Sequence, residues 1–311
     1  MSTTKLKCSN KSSSDSIGSI SWSMDILQFE KQCLQLPSAI DEIHDDLFEQ
    51  KNVRVFVKRD DLIHPIISGN KWRKLREYIQ LAQLNGHKHL ISFGGAYSNH
   101  LYALAFVGKE LGISTTGIIR GHELTAESNV FLTQMKKWGM KLIFIKRVEY
   151  LHKQIPDGVN TENSITIPEG GFGELAVSGV RAILNEIDES SYQHIFCPVG
   201  TGTTYLGLCK TTRDTELHGI LTLNNLEEIK ENAKYLEIPI QNLHTDYIFG
   251  KYANQPTELI KFCDNFFSKH QIKIEPIYTG KMFYGLYDLI QKDYFTRQSK
   301  ILALHTGGVK S

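Results

Sequence analysis

From Arg54 to Lys146 the chain alternates short apolar runs with longer helical patterns, and few residues separate them. "VRVFVKR", "HLISF", "STTGIIRG" and "KLIFIK" are rich in β-branched and aromatic residues and predict strands. "KWRKLREYIQLAQLNG", "NHLYALAFVGKELG" and "NVFLTQMKKWG" carry apolar side chains at helical spacing, and the first and last stop at Gly86 and Gly139. Consecutive strands joined through a helix run parallel, because the crossover returns the chain to the same end of the sheet. The second half repeats the rhythm. "ELAVSGVRAILNEI" predicts a helix, "HIFCPVG" a strand, "TTYLGLCKTT" a helix and "LHGILTL" a strand. Two helices, "PTELIKFCDNFFSKH" and "FYGLYDLIQKDYF", then precede a last strand, "KILALHTGG". No internal repeat is visible, which excludes a solenoid. The expected fold class is α/β, with two open, twisted, mostly parallel sheets flanked by helices and with ligand loops at the carboxyl ends of the strands.

The composition narrows the function. A chain of 311 residues with 41% hydrophobic and 22% charged residues has room for a large core. Its formal net charge of +1 gives no electrostatic case for a nucleic-acid or anionic-membrane partner. Apolar runs such as "YALAFVG" are far too short to span a bilayer. The five cysteines are scattered, with no C-x-x-C, which predicts reduced thiols and a cytoplasmic protein. The twelve histidines form no H-E-x-x-H or other zinc spacing, so no metal site is expected. Residues 1–23 are Ser-rich and lack the apolar core of a secretory signal; they predict a disordered tail.

Five stretches carry unusual chemistry. "ISGNKWRKL" sets Lys71, Arg73 and Lys74 directly behind a Gly-Asn pair, where they form either a solvated helix face or a reactive amine. "GTGTT", Gly200–Thr204, follows a strand and opens a helix. Its backbone N–H groups, hydroxyls and helix dipole suit a phosphate, the alternative being a plain Gly-Thr turn. A dinucleotide fingerprint would need a third Gly where Tyr205 stands, and a P-loop would need a closing Gly-Lys-Ser/Thr. "GGAYSNH" brings Ser98, Asn99 and His100 to a helix start suited to a carboxylate. "EPIYTGKMF" and "HTGG" are weaker signals alone. Together these stretches suggest a phosphate-bearing ligand used on a carboxylate-bearing substrate, and a reactive lysine would complete a pyridoxal 5'-phosphate (PLP) site.

In that order, "VKRDDL…SGNKWRKL", "SFGGAYSNH", "VGTGTT", "PIYTGK" and "LHTGG" resemble the 1-aminocyclopropane-1-carboxylate (ACC) deaminase / D-cysteine desulfhydrase family. The resemblance runs from about Leu36 to Gly308. It implies a PLP enzyme of fold type II, the tryptophan-synthase-β type, with the cofactor between two domains. It also implies a homodimer acting on a small amino acid. The implied domains are 24–75 with 164–311 (large, PLP-binding) and 76–163 (small). By the same resemblance Lys71 is the Schiff-base lysine. Lys74 reaches the cofactor phosphate together with Gly200, Thr201, Gly202, Thr203 and Thr204. Asn99 meets the ring hydroxyl, and Ser98, Asn99 and His100 hold the substrate carboxylate. Tyr278 lies close to the substrate. "HTDYIFGKYANQP" resembles a degenerate copy of the family's Tyr-Gly segment, making Tyr252 a second candidate there.

Two positions bear on the reaction. The deaminases carry Glu at the position of Thr279, facing the pyridine nitrogen, and Leu at that of Thr306; Thr at both is similar to the desulfhydrase branch. A carboxylate keeps the ring nitrogen protonated and the electron sink strong, as opening an unactivated ring requires, whereas a neutral hydroxyl suffices when a good leaving group departs from Cβ. The expected reaction is therefore β-elimination of D-cysteine, or a related β-substituted amino acid, to pyruvate, ammonia and hydrogen sulfide. Lys71 serves as the base, and Ser98 or Tyr278 could act from the opposite face. The alternatives are ACC deamination to 2-oxobutanoate and ammonia, or a catalytically reduced PLP-fold binding protein. Phe172 stands where the family has a small or polar residue, glycines typical of the family are missing after Thr204, and the chain stops soon after Gly308. These departures imply a shifted substrate or reduced activity and leave the cofactor set untouched. Asp60 or Asp61 is expected to orient the loop before Lys71, and Trp72 and Trp138 to serve in packing.

Overall fold

A computed structural model describes residues 22–212, 215–250 and 254–308. In chain order its first elements are α1 (Ile26–Cys33), β1 (Ile40–Ile43), α2 (Asp46–Lys51), β2 (Arg54–Lys58), α3 (Asn70–Leu84), β3 (His89–Gly94) and α4 (Asn99–Leu111). There follow β4 (Ser114–Arg120), α5 (Val130–Lys137), β5 (Lys141–Ile145), α6 (Arg147–Tyr150), β6 (Ser164–Ile167), α7 (Glu174–Val180) and α8 (Ala182–Asn185). The rest are β7 (His194–Val199), α9 (Thr203–Thr211), β8 (Glu216–Leu221), α10 (Leu226–Tyr235), β9 (Asn242–His244), α11 (Thr257–His270), α12 (Thr279–Gln291) and β10 (Lys300–Leu304).

Two compact units divide the chain. The smaller takes the described residues through Leu36 together with Tyr78–Gly170; the larger takes Pro37–Glu77 and everything from Gly171 onward. These bounds differ from the expected ones at three places, the shortest being Arg76 and Glu77, which fall in the larger unit. Residues 24–36 belong to the smaller unit because Gln83 binds them, accepting from Ile26 N–H at 3.0 Å and donating to Met24 O at 2.9 Å. Residues 164–170 join it because β6 pairs with β3. The expected disordered tail lies outside the described residues as far as residue 21, and Ser23 N–H donates to Leu111 O at 2.9 Å.

The smaller unit holds a four-stranded sheet in the order β5-β4-β3-β6, parallel throughout. Ile91, Phe93, Ile118, Ile145 and Tyr150 form one buried cluster on it. Trp138 packs at its α5 end, edge-on to Tyr102 at 4.7 Å and to Phe106 at 5.4 Å. The larger unit holds a six-stranded sheet, β1-β2-β10-β7-β8-β9, parallel except for the antiparallel edge strand β1. Its four inner strands, β2, β10, β7 and β8, read as largely apolar runs because both faces are covered. Alternate residues divide between the two cores: Val55, Val57, Phe196, Ile301 and Ala303 pack with Phe266, Met282, Phe283 and Leu286. Ile195, Cys197, Val199, Leu302 and Leu304 pack on the other side with Val177, Val180, Leu206, Leu208 and Ile229, and Phe172 leans on that cluster.

A charged network lies inside the larger unit. Arg73, only 2% exposed, donates to Asp60 Oδ1 and Oδ2 at 3.0 and 3.2 Å and to Glu186 Oε2 at 2.8 Å. Lys58, fully buried, donates to Ser38 O, Ser38 Oγ and Glu186 Oε2 at 2.7, 2.6 and 2.6 Å. Burial works against charge on Glu186, yet the bonds to Arg73 and Lys58 hold its carboxyl below the usual range. Its contribution to stability is therefore present above the unfolded-state carboxylate pKa and is lost as pH falls through the lower folded value. Arg73→Leu leaves both carboxylates without their guanidinium, and urea titration should show about 3–5 kcal/mol less unfolding free energy. A loss below about 1 kcal/mol would mean that the network carries little.

Candidate active site

Within the larger unit the loop before α3 is clamped from both sides. Gly69 N–H donates to Asp60 O at 2.7 Å, and Ser68 Oγ donates to Asp61 O at 3.0 Å, so both acids brace it through their backbone carbonyls. On the other side Asn70 N–H donates to Thr306 O at 3.2 Å. Gly69 has φ +67°, and a Cβ there would lie 1.8 Å from Thr306 O, so only glycine fits. Thr306 itself is 5% exposed. The clamp puts Lys71 in the first turn of α3. Its Nζ donates to Asn70 Oδ1 at 2.7 Å, and Asn70 Nδ2 donates to Thr204 Oγ1 at 3.0 Å. Lys74 stands about one turn further on and is 7% exposed. Burial, reinforced by the charge of Lys71, pushes its pKa down to about 7.

Gly200–Thr204 runs from the end of β7 into α9. Gly202 caps that helix at φ +85°, Thr203 and Thr204 are buried, and Thr201 Oγ1 lies 3.4 Å from Thr203 Oγ1. A Cβ at Gly200 would come within 2.9 Å of the Tyr278 ring, and one at Gly202 within 2.6 Å of Ile229 Cδ1. The loop thus brings two glycines and three threonine hydroxyls to a helix start, whose first N–H groups no intrahelical carbonyl can satisfy. Asn225 Nδ2 fixes it by donating to Gly200 O at 3.0 Å.

Tyr278 and Thr279 sit at the start of α12, which begins four residues earlier than the predicted start at Phe283. Glu275 supplies the cap. Its Oε1 accepts from the N–H groups of Tyr278 and Thr279, both at 2.8 Å, and its Oε2 from Ile277 N–H at 2.7 Å. Thr279, fully buried, accepts from Glu275 N–H at 3.1 Å and holds its Oγ1 3.3 Å from Glu275 Oε1. Burial pushes the Glu275 carboxyl up, and these N–H bonds oppose the shift. Lys281 stands apart from this group: fully buried, it donates to Thr222 O and Ile248 O at 2.8 and 2.6 Å. Sequence reasoning missed Glu275 as the cap of α12; its signal is an acid just ahead of the helix start. Tyr252 lies outside the described residues.

In the smaller unit Ser98 is the N-cap of α4, its Oγ accepting from Leu101 N–H at 3.2 Å. That leaves the hydroxyl proton available, and half-buried Asn99 opens the helix beside it. His100 departs from expectation. Its side chain is 5% exposed and turned inward, with Nε2 2.8 Å from Ser92 Oγ, which itself donates to Ile167 O at 2.8 Å. Helical periodicity explains this, since the second residue of α4 falls on the face packed against β3.

The sequence profile of a family described as "Pyridoxal-phosphate dependent enzyme" matches residues 44–307. The chain belongs to that family, and its cofactor is PLP. It is 30% identical, over 92% of its length and 91% of the relative's, to a Pyrococcus horikoshii protein provisionally named ACC deaminase. It is 25% identical to the D-cysteine desulfhydrase of Serratia proteamaculans, over 82% of this chain and 86% of that one. A solved structure described as an ACC deaminase homologue matches with TM-score 0.72 at 28% identity, covering 89% of this chain and 90% of that one.

The residues of the larger unit fit PLP. Lys71 offers a primary amine on a fixed helix start, Gly200–Thr204 brings backbone N–H groups and hydroxyls to the start of α9, and Lys74 is a buried amine whose charge a phosphate would favour. Gly69→Ala forces its Cβ onto Thr306 O and should unseat the loop before Lys71. Purified Gly69→Ala protein should keep its far-ultraviolet circular dichroism but lose most of its visible cofactor absorbance per chain; wild-type absorbance would refute the clamp.

Proposed function

We propose that this enzyme is a lyase that eliminates the β-substituent of a small amino acid, with D-cysteine as substrate and pyruvate, ammonia and hydrogen sulfide as products. When bound, PLP supplies an electron-poor ring that stabilises negative charge at the substrate Cα. Lys71 is the cofactor's covalent anchor, and its Nζ takes the Cα proton when the substrate amine replaces it. Lys74 and the backbone of Gly200–Thr204 hold the phosphate. The hydroxyl of Ser98 and the amide of Asn99 would bind the substrate carboxylate, Asn99 would also serve the ring hydroxyl, and Tyr278 and Thr306 would serve the substrate. His100 is assigned to the same carboxylate by the resemblance, with its Nε2 on Ser92 Oγ.

One observation favours desulfhydration over ring opening: the group at the head of α12 is the neutral hydroxyl of Thr279. The acid beside it, Glu275, is engaged by the N–H groups of Ile277, Tyr278 and Thr279. With the ring nitrogen facing Thr279, as the resemblance implies, the bound cofactor would lack a carboxylate partner there and would be a weaker sink, which suits departure of a good leaving group. ACC deamination is the second reading, favoured by the names of the archaeal relative and of the matching structure. The same proposal makes the protein a homodimer of the cytoplasm, in keeping with the unbridged thiols of Cys33, Cys197, Cys209 and Cys263.

Side-by-side assays of 2-oxoacid release from D-cysteine, L-cysteine and ACC test the reading. D-cysteine should be turned over fastest, and Lys71→Ala should lower kcat by at least about 10³-fold. Turnover of ACC with none of either cysteine enantiomer would overturn it.

A further inference from the structure

A row of imidazoles crosses the large sheet at the end away from Gly200–Thr204. His194 opens β7 and stands in register with Glu216, which opens β8. His218 follows two residues on from Glu216, and His244 closes β9 beside Ile220. His194 Nδ1 lies 3.1 Å from His218 Nε2. Glu216 Oε2 is 3.4 Å from His194 Nδ1 and 3.6 Å from His218 Nε2.

Those three separations have the size of a coordination polyhedron. Zinc bonds of about 2.0–2.1 Å in tetrahedral geometry place neighbouring ligand atoms about 3.3 Å apart. The triangle of Nδ1, Nε2 and Oε2 therefore matches one face of such a tetrahedron. The surroundings hold it in place. His218 Nδ1 lies 3.2 Å from His244 Nε2, the kind of second contact that fixes which nitrogen of a ligand ring faces a metal. Phe196 stacks on the His218 ring at 4.6 Å and 9°. The His218 side chain is fully buried and that of His194 is 12% exposed, while that of Glu216 is 65% exposed. Two ligands are thus anchored in the fold, and the third faces solvent, from which an ion and a water can arrive.

We propose that His194, Glu216 and His218 bind one divalent transition-metal ion, with zinc the best match to two imidazoles, one carboxylate and an open fourth position. Magnesium and calcium, which favour all-oxygen sets, do not suit it. The ion ties β7 to β8 at their amino ends. The Gly200–Thr204 loop begins at the other end of β7, about 20 Å away at 3.3 Å per residue, so the metal braces the sheet and takes no part in the reaction. The proposal stands independently of which amino acid the enzyme cleaves.

The competing account is a hydrogen-bonded chain of neutral imidazoles with no affinity for metal. PLP-loaded full-length protein, stripped with a chelator and dialysed, is titrated with zinc chloride by calorimetry, and with cobalt(II) to read its visible bands. Wild type should bind one equivalent per chain, show tetrahedral-type cobalt bands and melt at a higher temperature with zinc. Glu216→Gln, a change at an exposed side chain, should weaken binding about tenfold or more, and the double variant His194→Asn/Glu216→Gln should abolish it. Cofactor absorbance should be the same in all three proteins. An absence of binding by wild type, or an unchanged equivalent in the correctly folded double variant, would overturn the site.

Discussion

Arg73 keeps its charge inside the larger unit because Asp60 and Glu186 both reach it, and Lys58 shares Glu186 from the side of β2. Each of these groups would cost several kcal/mol if buried alone, so the network persists only with all its members in place. That condition fixes the end of β2, the turn at Asp60–Leu62 and the first turn of α3 relative to one another. Asp60 then passes the constraint on through its carbonyl to Gly69. Lys71 owes its position to a salt bridge that it does not join. The basic run "NKWRK" therefore divides its work: Arg73 locks the scaffold, whereas the proposed function rests on Lys71 and Lys74.

Helix starts recur in the larger unit as the means of placing functional groups. The start of α3 carries Lys71, that of α9 carries the Gly200–Thr204 loop, and that of α12 carries Tyr278 and Thr279. Asn70 links the first two through Thr204. Unsatisfied N–H groups and positive potential make such starts suited to anions, except where the chain supplies its own. Glu275 does so at α12, which gives that start to a protein carboxylate, whereas at α9 the chain supplies no such carboxylate among the described contacts.

The sequence was readable where burial is two-sided. β2, β3, β4, β7, β8 and β10 are apolar runs because both faces are covered, and their helices carry clear periodicity. β1 "IDEI", β6 "SITI" and β9 "NLH" were missed as short or polar edge strands whose pairing supplies what their composition lacks. The helix read through "ELAVSGVRAILNEI" is two, α7 and α8, broken at Arg181, and α12 was read late because "TGK" looks like a loop. The motifs around Lys71 and Gly200 were visible because each is contiguous. His194, Glu216 and His218 were not, since only the register of β7 on β8 brings them together and no linear spacing records it. His100 shows the converse: adjacent in sequence to Ser98 and Asn99, it is buried with its Nε2 on Ser92 Oγ, a placement that helical periodicity sets rather than the motif.

Borohydride reduction of the PLP-loaded enzyme, followed by peptide mass spectrometry, tests most directly the claim that the scaffold singles out one lysine. The account predicts a phosphopyridoxyl adduct on Lys71 alone, at close to one per chain. An adduct on Lys74 or Lys281, or none on the Lys71 peptide, would contradict it.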